Sequence, residues 1–143
     1  MNYSNEKELL KIVSSSNSFT ERKNAIDKIT NTTYLECIAK NNTILPDTRI
    51  IAINKLKCNN TIFLDIATNV SETQTVRMAA IRKINNPDML NEVYESVKDN
   101  IDLVMQLINN VKTKSLFNKV KEDYGNIILV KLKLHNIACL LID

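Results

Sequence analysis

The sequence predicts an all-α protein built as an α-solenoid, a stack of short helix pairs. One glycine and two prolines among 143 residues leave little of the turn punctuation that strand-rich folds need. The five-residue pattern A-I-x-K-[IL] occurs three times, at 25–29, 52–56 and 80–84. An arginine precedes each copy by three residues: Arg22, Arg49 and Arg77. Their spacings of 27 and 28 residues are typical of stacked repeats.

Short helices of this kind need neighbours. Segments of two to three turns fall below the roughly 12–15 residues at which an isolated helix becomes marginal in water. The chain is 44% hydrophobic, so neighbouring pairs have enough apolar surface to share one continuous core. We therefore expect a single domain over 1–143. The small side chains Ala25, Ala52 and Ala80 are predicted to lie where helices approach closely.

The chain is predicted to open with an amphipathic helix over 5–13, which shields the end of the stack. The first repeat then begins at a capping box, in which Ser18 and Glu21 satisfy each other's free backbone donors. Its first helix is expected to run to about Ile29. A short second helix carries Leu35 on its buried side.

The second repeat enters through Pro46, whose missing N–H is not needed in a first helical turn. Its helices are predicted at 47–57 and 61–68, joined at Asn59-Asn60. Leu64 falls off the inward face and is expected to pack between repeats or to form part of an apolar docking patch.

The third repeat is predicted to open with a second capping box, formed by Ser71 and Gln74. It turns at Asn86-Pro87, an N-cap followed by proline, and its second helix runs to about Asp99. In every repeat an apolar residue stands six positions after the pentapeptide. These residues are Leu35, Ile62 and Leu90. The joint between paired helices is therefore expected to keep a constant length.

After Asn100 the pattern weakens. Residues 104–110 echo 80–86 without the arginine or the alanine. A helix follows with one apolar face, and Gly125 is expected to end it in the left-handed conformation. Helices at 127–134 and 136–142 would complete about five pairs behind one leading helix.

The third repeat, read as Val76-Arg77-x-x-Ala80-x-x-Lys83-Ile84-x-x-Pro87-x-x-Leu90, resembles HEAT-like repeats of the phycobilisome-lyase type. The resemblance covers 19–99. It implies that the arginine-bearing helix lies on the outer face and that the second helix lines the concave face. It also implies a scaffold that binds partners, mostly proteins. It does not imply lyase activity, because the repeat serves many functions.

An acidic stripe is the first candidate site. Its members are spaced four, three and four residues apart on one helix face: Asp88, Glu92, Glu95 and Asp99. We expect the stripe to face the concave groove and to bind a basic segment of a protein partner. The chain would then be a non-catalytic scaffold or adaptor. The alternative is an ordinary solvated helix face.

A lysine-rich C-terminal third is the rival feature. From Val111 onward six lysines stand against three acidic residues, within a net charge of +3. Lys114, Asn118 and Lys121 share one face, so nucleic-acid binding through them is the alternative function. The three repeated arginines are predicted to tie neighbouring joints, with Asp47 near Arg49 and Glu72 near Arg77; an anion-binding ladder is the other interpretation.

Catalytic and cofactor sites find little support. His135 is the only histidine, and a single glycine excludes the phosphate-binding loops of nucleotide enzymes, so we expect no enzyme, cofactor or metal. Three separated cysteines fit a reducing cytoplasm, with Cys37 toward solvent and Cys58 and Cys139 buried. The opening residues are polar and no long apolar run occurs, so neither a signal peptide nor a membrane span is expected.

Overall fold

The computed structural model describes residues 3–58, 61–138 and 141, and over these residues it contains ten α-helices and no strand. The predicted all-α class is therefore confirmed. The helices are α1 Tyr3–Ser15, α2 Phe19–Lys28, α3 Thr32–Lys40, α4 Pro46–Lys55, α5 Ile62–Thr68, α6 Gln74–Arg82, α7 Pro87–Val97, α8 Ile101–Ile108, α9 Lys114–Tyr124 and α10 Ile128–Ala138.

The helices contact one another in a regular order. In a first row, α2 packs on α4, α4 on α6, α6 on α8 and α8 on α10. In a second row, α3 packs on α5 and α5 on α7, while α1 covers α2. Two hydrogen bonds attach α9 to the same row, one between Tyr94 and Asp123 and one between Lys119 and Glu95.

The repeated apolar positions all lie in one core that runs along both rows. Ala25, Ala52 and Ala80 are at most 3% exposed, so no space remains there for a larger side chain. The residues expected to start each second helix are buried as well: Leu35, Ile62 and Leu90. Leu64 is half-buried against the core, which agrees with the packing alternative.

The helix starts follow the sequence only in part. Asn86 caps α7 through its side-chain oxygen, which accepts from the backbone N–H groups of Asp88 and Met89, both at 3.0 Å. Ser18 caps α2, since its Oγ accepts from Glu21 N at 3.3 Å. The predicted reciprocal bond is wrong, because Ser18 N donates to Ser16 Oγ, which in turn donates to the Glu21 carboxylate.

The second predicted capping box does not form. Helix α6 begins at Gln74, and its N-cap residue Thr73 makes no side-chain capping bond. Ser71 lies three residues before this start, and its backbone N–H donates to Asn69 Oδ1 instead. The carboxylate of Glu72 supplies the nearest acceptor, at 2.8 Å from Thr73 N. Tertiary contacts of Glu72, described below, determine this arrangement.

The C-terminal third departs most from the predictions. Gly125 has φ −60° and ψ −17°, so it is not left-handed. A Cβ at Gly125 would lie 2.4 Å from the Lys121 carbonyl oxygen, and this close approach is why glycine fits there. One helix, α10, replaces the two predicted after 127, so four pairs stand between α1 and α10 within the described ranges. The predicted joint at Asn59-Asn60 and the buried Cys139 lie outside those ranges.

Candidate functional site

Buried arginines tie the first repeats together. Arg22 Nη2 forms an ion pair with Asp47 Oδ2 at 3.0 Å, and Arg22 Nε donates to Thr48 Oγ1 at 2.7 Å. Arg49 Nε donates to the Ala39 carbonyl at 2.9 Å, and its two Nη groups grip both oxygens of Glu72. The predicted partners were wrong by one step, since each arginine reaches the carboxylate that begins the next repeat.

The Arg49–Glu72 pair is the most buried of these contacts. The two side chains are only 3% and 7% exposed. Burial by itself raises the pKa of Glu72, but hydrogen bonds from Arg49 and from Thr73 N outweigh it, so the pKa lies below its ordinary value. The pair is therefore charged at neutral pH and binds α4 to the start of α6.

Arg77 breaks the series. Its Nε donates to the Ala67 carbonyl at 2.8 Å, as Arg49 does at Ala39, but its Nη2 is buried and has no partner in the part of the chain the structure describes. Burial lowers the pKa of this guanidinium. Asp102 stands 25 residues after Arg77, as Asp47 stands after Arg22, yet its carboxylate accepts from Gln74 Nε2 at 2.9 Å.

The lysine of the pentapeptide has a structural role that the sequence analysis missed. Lys55 Nζ donates to the carbonyl of Ile26 at 2.8 Å, at the C-terminal end of α2. Lys83 Nζ donates to the carbonyl of Asn54 at 3.0 Å, at the end of α4. The last carbonyls of a helix have no partner within the helix, so a cation placed there satisfies them. The recurrence of lysine in all three copies was the available signal.

The same tie continues where the pentapeptide is lost. Asn110 Nδ2 donates to the carbonyls of Ile81 and Ile84, both at 2.7 Å, and Lys133 Nζ donates to the carbonyl of Met105 at 3.0 Å. Asn110 therefore does for α6 what Lys83 does for α4. This aligns 104–110 with 77–83 and corrects the predicted alignment with 80–86 by three residues.

The acidic stripe lies on an exposed face, opposite buried Leu90, Val93 and Val97. Asp88, Glu92 and Glu95 belong to α7, whereas Asp99 is exposed beyond the end of the helix, at Val97. Glu95 is engaged by Lys98 at 3.0 Å and by Lys119 at 3.3 Å. Hydrogen bonds from these lysines lower the pKa of Glu95.

The lysine-rich set is also exposed. Lys114, Asn118 and Lys121 lie on α9, and Leu116 and Val120 are buried on the opposite side. The acidic and basic sets are linked, because the ion pair of Lys119 with Glu95 joins α9 to α7. Part of each set is therefore used inside the protein.

The remaining candidate side chains stand apart from one another. His135 and Cys37 are exposed, and the exposure of Cys37 was predicted. Cys58 was predicted to be buried and is exposed, because α4 ends at Lys55 and Cys58 lies in the turn that follows. Over the described ranges, no three His, Cys, Asp or Glu side chains are grouped to hold a metal ion. None of the helices described combines the length and apolarity needed to cross a membrane.

Comparison with known proteins finds no matching family model, curated protein or solved structure.

Proposed function

We propose that the chain is a HEAT-like α-solenoid that works as a non-catalytic protein-binding scaffold. In this proposal α3, α5, α7 and α9 line the concave face, and a basic segment of a protein partner binds there. The partner, like the cytoplasmic location expected from the cysteines, belongs to the proposal.

The repeated ties support the solenoid part. Arginine at one step bonds to a carboxylate 25 or 23 residues later, as Arg22 does to Asp47 and Arg49 to Glu72. Lysine at one step bonds to a carbonyl 29 residues earlier, as Lys55 does to Ile26 and Lys83 to Asn54. Contacts at a constant sequence interval are what a stack of equivalent units produces, since each unit touches only its neighbours.

The observation that carries the binding role is the state of Glu92. Its carboxylate is exposed and bonds to no other group in the part of the chain described here, while Glu95, one turn on, is held by two lysines. Asp88 is equally exposed, but it lies in the first turn, where a carboxylate already stabilises the helix dipole. Carboxylates on a rigid helix attract and orient a cationic partner.

Charge reversal tests this role. Proteins captured from the native host with the wild-type chain would be measured for affinity against Glu92→Lys. We expect about tenfold weaker binding, because an attractive pair becomes a repulsive one. Glu8→Lys is the matched control, since Glu8 is exposed on α1, far from α7 in the stack. Equal affinity of both variants for every captured partner would end the proposal.

Nucleic-acid binding through Lys114, Asn118 and Lys121 is the second candidate. In its favour, Lys121 lies beside Lys131 and His135 around one groove. Against it, Lys119 and Lys133 are already bonded within the protein. A gel-shift titration at low and moderate salt separates the two functions, since phosphate contacts by lysine weaken steeply as salt rises.

A further inference from the structure

Helix α10 exposes more apolar surface than a helix in a stack is expected to expose. Ile128, Leu129 and Leu132 are 74%, 65% and 59% exposed, while Val130 and Leu134 on the other side are buried in the core. A helix that is apolar on both sides is normally covered on both sides. Over the described ranges nothing covers the outer side of α10, so this surface calls for a partner.

A groove adjoins this face between α9 and α10. It has a volume of about 410 Å³. Apolar side chains of Phe117, Leu134 and Ala138 line it together with three basic ones: Lys121, Lys131 and His135. Lys121 and Lys131 have no bonded partner within the described ranges, whereas Lys119 and Lys133, on the same two helices, are bonded.

We propose that the outer face of α10 and the α9–α10 groove together bind an amphipathic helix of another protein, whose apolar stripe is flanked by carboxylates. The proposal goes beyond the scaffold role above, since this surface has the opposite charge and lies on other helices. It does not depend on the acidic stripe.

The length of the apolar strip favours a helix as the occupant. Helix α10 has 11 residues and so extends about 16 Å. The exposed strip continues past the groove, which makes a compact small molecule a poor cover. Within the first row, α4, α6 and α8 are each covered by a following helix, and a partner helix would cover α10 in the same manner.

Charge complementarity specifies the flanking residues. The free ammonium groups of Lys121 and Lys131 border the apolar floor, so carboxylates at the edges of the stripe would pair with them. A second copy of this chain fits less well, because a two-fold contact through α10 would place Lys131 of each copy near the same residue of the other. Nucleic acid would leave the leucine strip uncovered.

Selection from a displayed peptide library tests the proposal without a known partner. The library would consist of helices of about 15 residues, near the length at which helices persist in water, with a fixed apolar stripe and flanks coding equally for Glu, Gln, Ser and Lys. The full chain serves as the bait. We expect enrichment of glutamate in the flanks. Enrichment of lysine, or no enrichment over the starting library, overturns the proposal.

Matched variants then locate the binding. For a selected peptide, we expect the double substitution Lys121→Glu with Lys131→Glu to weaken binding by about tenfold or more and to reduce its salt dependence. Lys112→Glu is the charge control, because Lys112 is exposed but does not line the groove. Leu132→Ser should also weaken binding, with exposed Val70→Ser as its control. Equal effects of test and control variants overturn the assignment.

Other occupants give different outcomes. Concentration-dependent dimerisation in sedimentation, lost in Leu132→Ser, would assign the face to a second copy. Tighter binding of single-stranded RNA or of anionic lipid vesicles than of any selected peptide would assign it to those ligands. Either result overturns the proposal. Glu92→Lys should leave peptide binding unchanged, so failure here and failure of the scaffold role are distinguishable.

Discussion

The helices before residue 100 and those after it share one kind of tie and differ in another. Lysine or asparagine bonds to the carbonyls of the preceding first-row helix at every step from Lys55 to Lys133. Buried arginine is present only in the first three repeats, and Val104, fully buried, occupies the corresponding place in α8. The carbonyl tie is therefore general, while the arginine tie can be replaced by apolar packing.

The same contrast appears at the small residues. Ala25, Ala52 and Ala80 precede the pentapeptide lysine by three positions, and Leu107 stands at that place before Asn110. All four side chains are buried. The first three repeats thus combine a small residue with a buried cation, and the fourth fills its core with larger apolar groups. Arg77 lies at the boundary, with its carbonyl bond kept and its carboxylate lost.

The largest effect is expected at the buried ion pair. Arg49→Met leaves the Glu72 carboxylate buried without its partner, and this should lower the free energy of unfolding by about 3–5 kcal/mol. Arg77→Met removes a guanidinium whose Nη2 is already unpaired, so the loss should be clearly smaller. Urea denaturation of both variants measures the difference. Equal destabilisation would erase the distinction between these two repeats.

Overpacking gives the next effect. Ala80→Leu forces a larger side chain into a site with no free space, and we expect a loss of about 1–3 kcal/mol in stability. Ala138→Leu, at an exposed position of α10, is the control and should change stability little. An unchanged denaturation midpoint for Ala80→Leu would mean that the first repeats tolerate the leucine that α8 already carries.

Acid should weaken the first repeats selectively, and this is the smallest effect. The pKa of Glu72 is lower in the folded protein than its ordinary value of 4.5. Its stabilising contribution is therefore fully present above that value and is lost as pH falls through the lowered pKa. Stability measured by urea denaturation should fall with acid more steeply in the wild-type chain than in Glu72→Gln. Parallel curves would contradict the charged pair.

Local patterns predicted much of this molecule. Apolar spacing identified the helices, Pro46 and Asn86-Pro87 marked two helix starts, and the repeated alanines marked buried positions. The acidic stripe was also placed correctly on an exposed face for its three helical members. These features depend on residues within one or two helical turns, whose relative positions the helix itself fixes.

Contacts across the stack were predicted poorly. The arginine partners were assigned one repeat too early, and the lysine ties were missed altogether. A residue 23 to 29 positions away becomes a partner only when the helices pack at a particular offset, and spacing within one helix carries no information about that offset.

By itself, the sequence determined that the chain is helical, where most helices begin and which side chains avoid water, because these follow from short-range geometry and hydrophobicity. Only the tertiary structure decided that Glu72 serves Arg49 rather than its own helix start, that Gly125 is needed for a close approach, and that α10 keeps an uncovered apolar face. Each of these depends on which groups meet across the stack, and that is settled only when the helices are packed together.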